Sequence, residues 1–221
     1  MTVDHVGACL MHSAPWTRAI GRLALPIFAF LLVEGYKHTR DLTSYIGRLF
    51  LLAVVSQWPY SYATSGYVVK DLNIVYTLVL GLLTLRLYDK YQRLAPVLLC
   101  AVIAHIGNLD FGAGAIIMIY LFYKYGDSRR DLMLTMWIPV IWAMVRKAWI
   151  VMDAHREIDS IRSYLQVDPS IVVYPMAWLA LPLIFTYNGQ LGPKAKYLFY
   201  VFYPAHLLII GLVKSYVMKQ V

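Results

Sequence analysis

AIGRLALPIFAFLLVEGY, residues 19–36, is the stretch that decides the fold, because a single arginine near its start is followed by eleven uncharged residues. A helix that crosses a membrane needs about 20 apolar residues, and shorter ones are tolerated inside a bundle. Similar apolar runs fill most of the remaining chain, at about 1–13, 43–60, 73–88, 95–106, 113–125, 132–150, 170–186 and 197–218. The pattern predicts an all-α, polytopic transmembrane helical bundle of about eight or nine spans.

The composition excludes a soluble domain. Hydrophobic residues make up 60% of the 221 residues, charged residues only 14%, and the mean hydropathy is +0.59. Soluble domains average about 25% charged residues, which they need to cover their surface. The exterior must therefore face membrane lipid, and residues 1–221 are expected to form a single transmembrane domain.

The first apolar run is too short to cross a bilayer. Thirteen helical residues rise about 20 Å, against a hydrocarbon core of about 30 Å. We therefore expect the first helix to be truncated at its N-terminus, with the natural chain starting upstream.

Basic residues concentrate in every second connection between the apolar runs. The connections that carry them contain Lys37, His38, Arg40 and Arg48; Arg86, Lys90 and Arg93; Lys124, Arg129 and Arg130; and Lys194 with Lys196. The alternate connections are poorer in positive charge, and Arg146 and Lys147 are the exceptions to the pattern. This positive-inside pattern predicts a multi-pass membrane protein with the basic connections in the cytoplasm and its N-terminus inside. It also accounts for the net charge of +8, so no nucleic-acid partner is expected.

The connection at 151–169 is long enough to hold structure of its own. Asp153, Arg156, Glu157 and Arg162 follow at spacings of three to five, which indicates a short polar helix at the surface.

Ionisable residues inside apolar runs cost about 2.5–3.5 kcal/mol each on insertion scales, so they need a reason. Asp4 and His5 are such a pair. His5 could be a general base facing a cavity, with Asp4 tuning it or pairing with an arginine, or the pair could make structural hydrogen bonds to a neighbouring helix. Arg22 could extend to the interface, or pair with Asp4 across the short 14–18 connection.

His206 is expected about ten residues into the last span, after Tyr203 and Pro204. Proline frees a backbone carbonyl, and irregular backbone in lipid is tolerated where it lines protein or water. His206 could therefore face a cavity or be an ordinary satisfied core residue. Asn73 and Thr77, four apart at the head of a span, are candidates for further polar lining.

A charged cluster ends the 19–36 run. Glu34 and His38 share one helix face, as do Lys37 and Arg40. Cations at a membrane mouth suit the phosphates of a coenzyme donor, although the positive-inside rule alone also explains them. No phosphate-binding loop, serine elbow, His-Glu-x-x-His sequence or zinc-type cysteine pair is present, and no metal site is expected.

Five ordered stretches together resemble the TraX family: Asp4-His5-Val6-Gly7, GRLALPIFAF at 21–30, EGYKHTR at 34–40, NIVYTLVLGL at 73–82 and KYLFYVFYPAH at 196–206. The resemblance covers essentially the whole chain, and the ordered set is more specific than any one stretch. In that family the first helix normally starts well before the Asp-His pair, and this chain departs from the family there.

The resemblance implies an integral membrane acyltransferase, since the family is associated with N-terminal acetylation of conjugative pilin. It implies acetyl-CoA as the acyl donor and a protein N-terminus or an envelope glycan as the acceptor. His5 would be the base, with Asp4 or Glu34 holding its tautomer or balancing its charge, and His206 would complete the cavity. The residues predicted to bind the donor are Arg22, Glu34, Lys37, His38, Arg40 and Arg48, of which the three arginines would engage its phosphates or stabilise the oxyanion of the tetrahedral intermediate. The residues predicted to bind the substrate are Asn73, Thr77 and Tyr203. The resulting prediction is an enzyme of the bacterial cytoplasmic membrane.

Two other classes of function stay open at this point. A proton-coupled secondary transporter or flippase could use Asp4, His5 and His206 as a proton relay. A non-catalytic membrane scaffold would leave these buried ionisable groups without a reason. The enzyme hypothesis requires Asp4, His5, Arg22 and His206 to face one shared chamber that reaches the basic residues.

Overall fold

The computed structural model describes residues 1–11, 15–65, 68–69, 71–154, 169–190 and 196–218. Within these ranges the chain is helical, with one isolated parallel bridge between Leu72 and Leu109 and no β-strand. The all-α prediction is confirmed for this part of the chain. The helices are α1 (Thr2–Leu10), α2 (Pro15–Gly21), α3 (Ala24–His38), α4 (Leu42–Ser65), α5 (Ile74–Tyr91), α6 (Ala95–Ile106), α7 (Gly112–Tyr125), α8 (Arg129–Ala154), a 3₁₀ helix (Pro169–Leu179), α9 (Ala180–Phe185) and α10 (Lys196–Met218).

Three helical segments of the described chain are long and apolar enough to cross a membrane: Trp16–His38, Arg129–Asp153 and Tyr197–Val217. Shorter apolar helices occur at Ala95–Ile106, Gly112–Tyr125 and Tyr174–Phe185. The protein is therefore a membrane protein. The larger number of eight or nine spans stays a prediction, because a helix of 12 residues such as α6 rises only about 18 Å.

The apolar run at 19–36 is interrupted, and it begins earlier than predicted. α2 ends at Gly21 and α3 starts at Ala24, with Arg22 and Leu23 in a turn between them. Pro26 explains the break, because its ring conflicts with the carbonyl group four residues earlier, that of Arg22. The turn gives the Arg22 side chain a direction that a continuous helix would not.

The predicted span at 170–186 is also two elements, the 3₁₀ helix followed by α9. Of the predicted polar helix at 151–169, Asp153 belongs instead to the end of α8. Its other charged members, Arg156, Glu157 and Arg162, lie outside the described residues.

Close backbone approach joins α1 to α2. A Cβ atom added to Gly7 would collide with the Thr17 side chain, and one added to Gly21 would collide with the Asp4 carboxylate. Such contact is open only to glycine, which has no side chain to displace. α1 also packs against α10 and α4, so residues near the chain's start meet residues near its end.

The buried core lies where α3, α5, α7 and α8 meet. Its largest fully buried side chains include Leu82, Leu85, Ile119, Phe122 and Met136. A core of this size holds the helices in a fixed arrangement around the polar groups described below.

The helix ends separate into two groups. At the basic end, the connections 39–41, 92–94 and 126–128 lie together, because Tyr36 and Tyr123 both donate to the Asp89 carboxylate (2.6 and 2.8 Å) and Lys37 pairs with Asp127 (2.6 Å). At the opposite end, the bridge between Leu72 and Leu109 joins the connections before α5 and before α7. The exposed cations of the basic end are Lys37, Arg40, Arg48, Arg86, Lys90, Arg93, Lys124, Arg129 and Arg130.

Candidate functional site

Two histidines that are distant in sequence meet inside the helix bundle. Nδ1 of His5, on α1, lies 3.2 Å from Nε2 of His206, on α10. Their rings are stacked at 28°, with centroids 5.4 Å apart. Only 8% of His5 and 6% of His206 is exposed. A direct hydrogen bond therefore joins two buried imidazoles.

The backbone defines which nitrogen of each ring carries a proton. Nδ1 of His206 lies 2.9 Å from the carbonyl oxygen of Phe202, and a carbonyl can only accept, so this nitrogen donates. With both rings neutral, Nε2 of His206 is then an acceptor, and Nδ1 of His5 donates to it. Nε2 of His5 then carries a lone pair that no described residue engages. The arrangement makes that nitrogen the basic atom of the pair.

Aromatic rings surround the pair. The ring of Phe202 stacks on His206 with centroids 5.1 Å apart, and Tyr60 meets His5 edge-on at 6.3 Å. These contacts hold the two imidazoles in one orientation and keep bulk water away from them. A preset orientation is what a proton-transferring group requires.

Asp4 does not take part in the histidine pair. Its carboxylate accepts from Nη1 of Arg18 at 2.6 Å, and both side chains are partly buried. The predicted pairing of Asp4 with an arginine is therefore confirmed, but the partner is Arg18 and not Arg22, and no side-chain hydrogen bond joins Asp4 to His5 among the described residues. The reason is the turn after Gly21, which carries Arg22 away and leaves Arg18 facing α1.

The largest described cavity adjoins His206. We call it the histidine cavity; it has a volume of about 470 Å³ and is mainly apolar, with a lining that includes Leu32, Tyr45, Leu49, Val75, Tyr203 and His206. Tyr45 places one side of it near the basic end, since a Cβ atom on Gly35 would lie 2.9 Å from the Tyr45 hydroxyl. The cavity thus extends from His206 toward that end, and His5 is joined to it through the hydrogen bond to His206.

Tyr203 contributes a free hydroxyl group to this cavity. The side chain is buried with 7% exposed, and its ring lies 5.5 Å from that of His206. Its Oη has no hydrogen-bond partner among the described residues. A buried polar atom without a partner costs about 1–3 kcal/mol, which a bound polar group would offset. Tyr203 lines the cavity with an unpartnered hydroxyl, and its predicted substrate-binding role stays a prediction.

Asn73 and Thr77 have structural partners instead. The Asn73 side chain caps α5 by accepting from the Val75 amide (3.0 Å), and its amide donates to Ala53 O and Gln57 Oε1 (both 2.9 Å). The Thr77 hydroxyl donates to the carbonyl of Asp110 at 2.9 Å. Neither residue lines the histidine cavity, so the predicted substrate-binding role has no support for these two.

The predicted donor-binding residues are divided between the two ends of the molecule. Glu34, Lys37, His38, Arg40 and Arg48 lie at or near the basic end. Within this set, His38 contacts Glu34, with Nδ1 3.8 Å from the carboxylate and 2.9 Å from the backbone oxygen, and Lys37 is paired with Asp127. Arg40 and Arg48 are exposed. Arg22 lies at the opposite end, so it does not belong to this group.

Arg22 lines a separate cavity, which sequence reasoning did not foresee. This arginine cavity has a volume of about 250 Å³, and its lining includes Arg18, Arg22, Asp110, Trp142, Lys147 and Tyr174. It shares no lining residue with the histidine cavity. The expectation of one chamber shared by Asp4, His5, Arg22 and His206 is therefore wrong. An enzymatic function can rest only on the histidine pair and the histidine cavity, without Asp4 and Arg22.

Comparison with known proteins now places the chain. A family model described as TraX protein matches residues 1–214. The chain belongs to the TraX family. It is also similar to the "Probable fimbrial assembly protein FimC, serogroup H1" of Dichelobacter nodosus, with 27% identity over 238 aligned residues that cover 98% of this chain and 91% of the relative. No solved structure shows significant similarity to it.

The structure of this TraX family member adds four residues to those that the sequence singled out. Arg18 pairs with Asp4, and Asp110, Lys147 and Tyr174 share the arginine cavity with Arg22. For Arg18 a signal was present, since it follows Asp4 across a short connection and precedes Arg22 by one helical turn. The other three come from elements distant in sequence, and no local pattern connects them.

Proposed function

We propose that this TraX family member is a multi-pass acyltransferase of the bacterial cytoplasmic membrane, which transfers an acetyl group from acetyl-CoA to an amine or a hydroxyl group. The observation that carries the proposal is the buried pair of His5 and His206 beside an apolar cavity. A lone buried histidine is compatible with packing, whereas two oriented imidazoles with one free basic nitrogen are suited to proton transfer.

His5 is the general base in this proposal. Its Nε2 takes a proton from the acceptor, the acceptor's nitrogen or oxygen attacks the thioester carbonyl carbon, and the carbon–sulfur bond breaks. The proton then passes from His5 to the departing thiolate of CoA. His206 does not touch the reacting atoms and acts as a positioning residue, because its hydrogen bond holds His5 in the required tautomer.

Tyr203 is the proposed donor to the carbonyl oxygen. Negative charge develops on this oxygen as the acceptor attacks, and a preset hydroxyl donor stabilises it. The support is the position of the Tyr203 hydroxyl, which is buried beside His206 and has no partner in the described chain.

The donor is proposed to enter from the basic end. Arg40 and Arg48 are exposed there and are suited to the phosphates of CoA, since guanidinium groups bind phosphate in two-point geometry. The thin acyl-carrying arm would occupy the histidine cavity, whose lining reaches from Tyr45 to His206. Arg22 has no place in this route.

The acceptor is proposed to be a pilin-type protein N-terminus or an envelope glycan. A relative named as a fimbrial assembly protein covers almost the whole chain, which supports an acceptor in a surface filament. An amine or hydroxyl acceptor also fits a histidine base, because both lose a proton on acylation.

The test is release of CoA from acetyl-CoA by the purified protein in lipid nanodiscs, with an acceptor peptide bearing a free N-terminus. We expect His5→Ala to lower the rate about 10²- to 10⁴-fold, the usual contribution of a general base. His105→Ala is the matched control, because His105 is an exposed histidine at the end of α6. Its rate should equal that of the unmodified protein.

Two results would count against the proposal. One is a His5→Ala rate equal to that of the His105→Ala control. The other is proton-coupled solute flux in proteoliposomes that needs no acetyl-CoA, which would favour a secondary transporter.

A further inference from the structure

The arginine cavity combines several cationic side chains with an unused donor. Arg18, Arg22 and Lys147 line it together with Asp110, and Arg18 pairs with Asp4. Nε of Arg22 is buried and has no hydrogen-bond partner in the part of the chain that is described. Burying an unpaired guanidinium donor is costly, and a bound anion would remove that cost.

The geometry of Arg22 restricts where a ligand can bind. Its guanidinium carbon lies 4.4 Å from the ring centroid of Tyr174 and 5.8 Å from that of Phe111. The N–H groups of a guanidinium lie in its plane, so hydrogen bonds from Arg22 to a ligand are made in that plane. In-plane contact favours ligands with two adjacent oxygens, which are carboxylates and phosphates.

The position of the cavity argues for the acceptor rather than the donor. Asp110 and Phe111 belong to the connection between α6 and α7, and Lys147 lies toward the end of α8, all at the end opposite the basic one. The proposed donor route runs from the basic end into the histidine cavity, which shares no lining residue with the arginine cavity. The cavity is small, at about 250 Å³, so it suits one charged group rather than a whole coenzyme.

We propose that the arginine cavity binds one oxyanionic group, a carboxylate or a phosphate, of the acceptor substrate. The assignment to the acceptor rests on the function proposed above, whereas anion binding does not. The site therefore selects acceptors that carry such a group at a distance from the nitrogen or oxygen to be acylated.

The test measures thermal unfolding of the protein in nanodiscs of neutral phosphatidylcholine, without acetyl-CoA. Chloride is exchanged at constant ionic strength for low millimolar sulfate, a stand-in for phosphate, or acetate, a carboxylate. At ten times the dissociation constant, we expect the melting temperature to rise by about 3–5 °C. Arg22→Gln should abolish the rise, and Arg93→Gln, an exposed arginine at the basic end, should retain it.

If Arg22→Gln does not fold, Lys147→Gln is the second variant. We expect it to reduce the anion-induced rise in melting temperature by at least half. The proposal is overturned by an absent rise in the unmodified protein, or by a full rise in whichever of the two variants is tested. This experiment measures no acyl transfer. A negative result would therefore overturn anion binding without bearing on the proposed enzymatic activity, which is tested by CoA release.

A second arm separates two sources of the anion. The measurement is repeated in nanodiscs that contain anionic phosphatidylglycerol. A sulfate-induced rise that persists there supports a soluble acceptor group. A rise that disappears would mean that a lipid headgroup occupies the cavity, and it would overturn the assignment to the acceptor.

Discussion

At the scale of single residues, His206 acts on His5 through one hydrogen bond, between Nε2 and Nδ1. Removing that bond should leave donor binding intact while disturbing the tautomer of the base. We expect His206→Phe, which keeps a ring beside Phe202, to lower kcat about 10- to 100-fold, less than loss of the base itself. The Michaelis constant for acetyl-CoA should change less than twofold in steady-state assays of CoA release.

A conservative variant distinguishes positioning from packing. His206→Gln keeps an oxygen that can accept from His5, so it should recover part of the activity that His206→Phe loses. An unchanged kcat with a raised Michaelis constant in both variants would show that His206 serves only to shape the cavity.

Asp110 should make anion binding depend on pH. Burial and the nearby Asp4 carboxylate raise the pKa of Asp110 to about 6, although Arg22 opposes the shift. Below that pH the carboxyl group is neutral, so one negative charge facing the cavity is lost and an anion binds more tightly. Among the described residues, the other charged or titratable groups that interact with Asp110 or share its cavity are Asp4, Arg18, Arg22, Tyr60, Lys147, Tyr174 and Tyr203.

We expect sulfate affinity to rise about tenfold from pH 7.5 to pH 5, from the interaction of two charges across a partly polar cavity. Sulfate keeps its charge over this range, which makes it the suitable probe. In Asp110→Asn the affinity should stay high at both pH values. A pH dependence that survives this substitution would assign it to another group.

The sequence identified which ionisable residues lie inside apolar runs, but it did not identify which of them contact each other. His5 and His206 were both identified as ionisable groups inside apolar runs, yet their contact spans almost the whole chain and leaves no local pattern. An arginine partner for Asp4 was predicted, with Arg22 as one alternative, and the partner is Arg18. Arg18 and Arg22 lie one turn apart, and only the break caused by Pro26 decides between them.

At the scale of elements, the α1–α2 hairpin depends on Gly21, whose hydrogen faces the Asp4 side chain. In Gly21→Ala the added methyl group would displace Asp4 and strain its contact with Arg18. We expect a loss of about 1–3 kcal/mol, the usual cost of overpacking, seen as a lower melting temperature in detergent.

Gly47→Ala is the matched control for that substitution. Gly47 also lies within a helix, but a Cβ atom there would meet nothing within 4 Å. Its stability should be unchanged or slightly raised, because alanine favours helix more than glycine does. Equal stability of the Gly21→Ala and Gly47→Ala proteins would contradict the close approach of α1 to α2.

The elements themselves could be predicted where apolar runs are uninterrupted. The run predicted at 95–106 coincides with α6, and the run at 113–125 matches α7 to within one residue. The positions where helices break could not be predicted from the sequence. Pro26 splits one apolar run, whereas Pro59, Pro139 and Pro204 remain inside helices α4, α8 and α10. Whether a proline breaks a helix depends on its neighbours in space, which sequence does not supply.

At the scale of the whole molecule, charge separates the two ends. Alternating basic connections predicted this separation, and the described helices bring the cations of 37–48, 86–93 and 124–130 to one end. The two cavities were not predictable, because each is lined by several helices distant in sequence. This is why the sequence suggested one chamber where the structure has two.

The orientation of the ends in the membrane gives a further prediction. In a protein with Cys9→Ala and Cys100→Ala, single cysteines are placed by Leu94→Cys at the basic end and Val69→Cys at the opposite end, both exposed positions. By the positive-inside rule, a membrane-impermeant maleimide should label only Val69→Cys in intact cells, and both after lysis. Labelling of Leu94→Cys in intact cells would contradict a cytoplasmic basic end.

The most direct test of His5 as the base is chemical rescue. CoA release by the His5→Ala protein in nanodiscs is measured with and without added imidazole, which can enter the space that the side chain leaves. We predict a rate about 10²- to 10⁴-fold below that of the unmodified protein, which rises with the concentration of imidazole. Release of CoA by His5→Ala at the unmodified rate, with no imidazole present, would contradict the proposal.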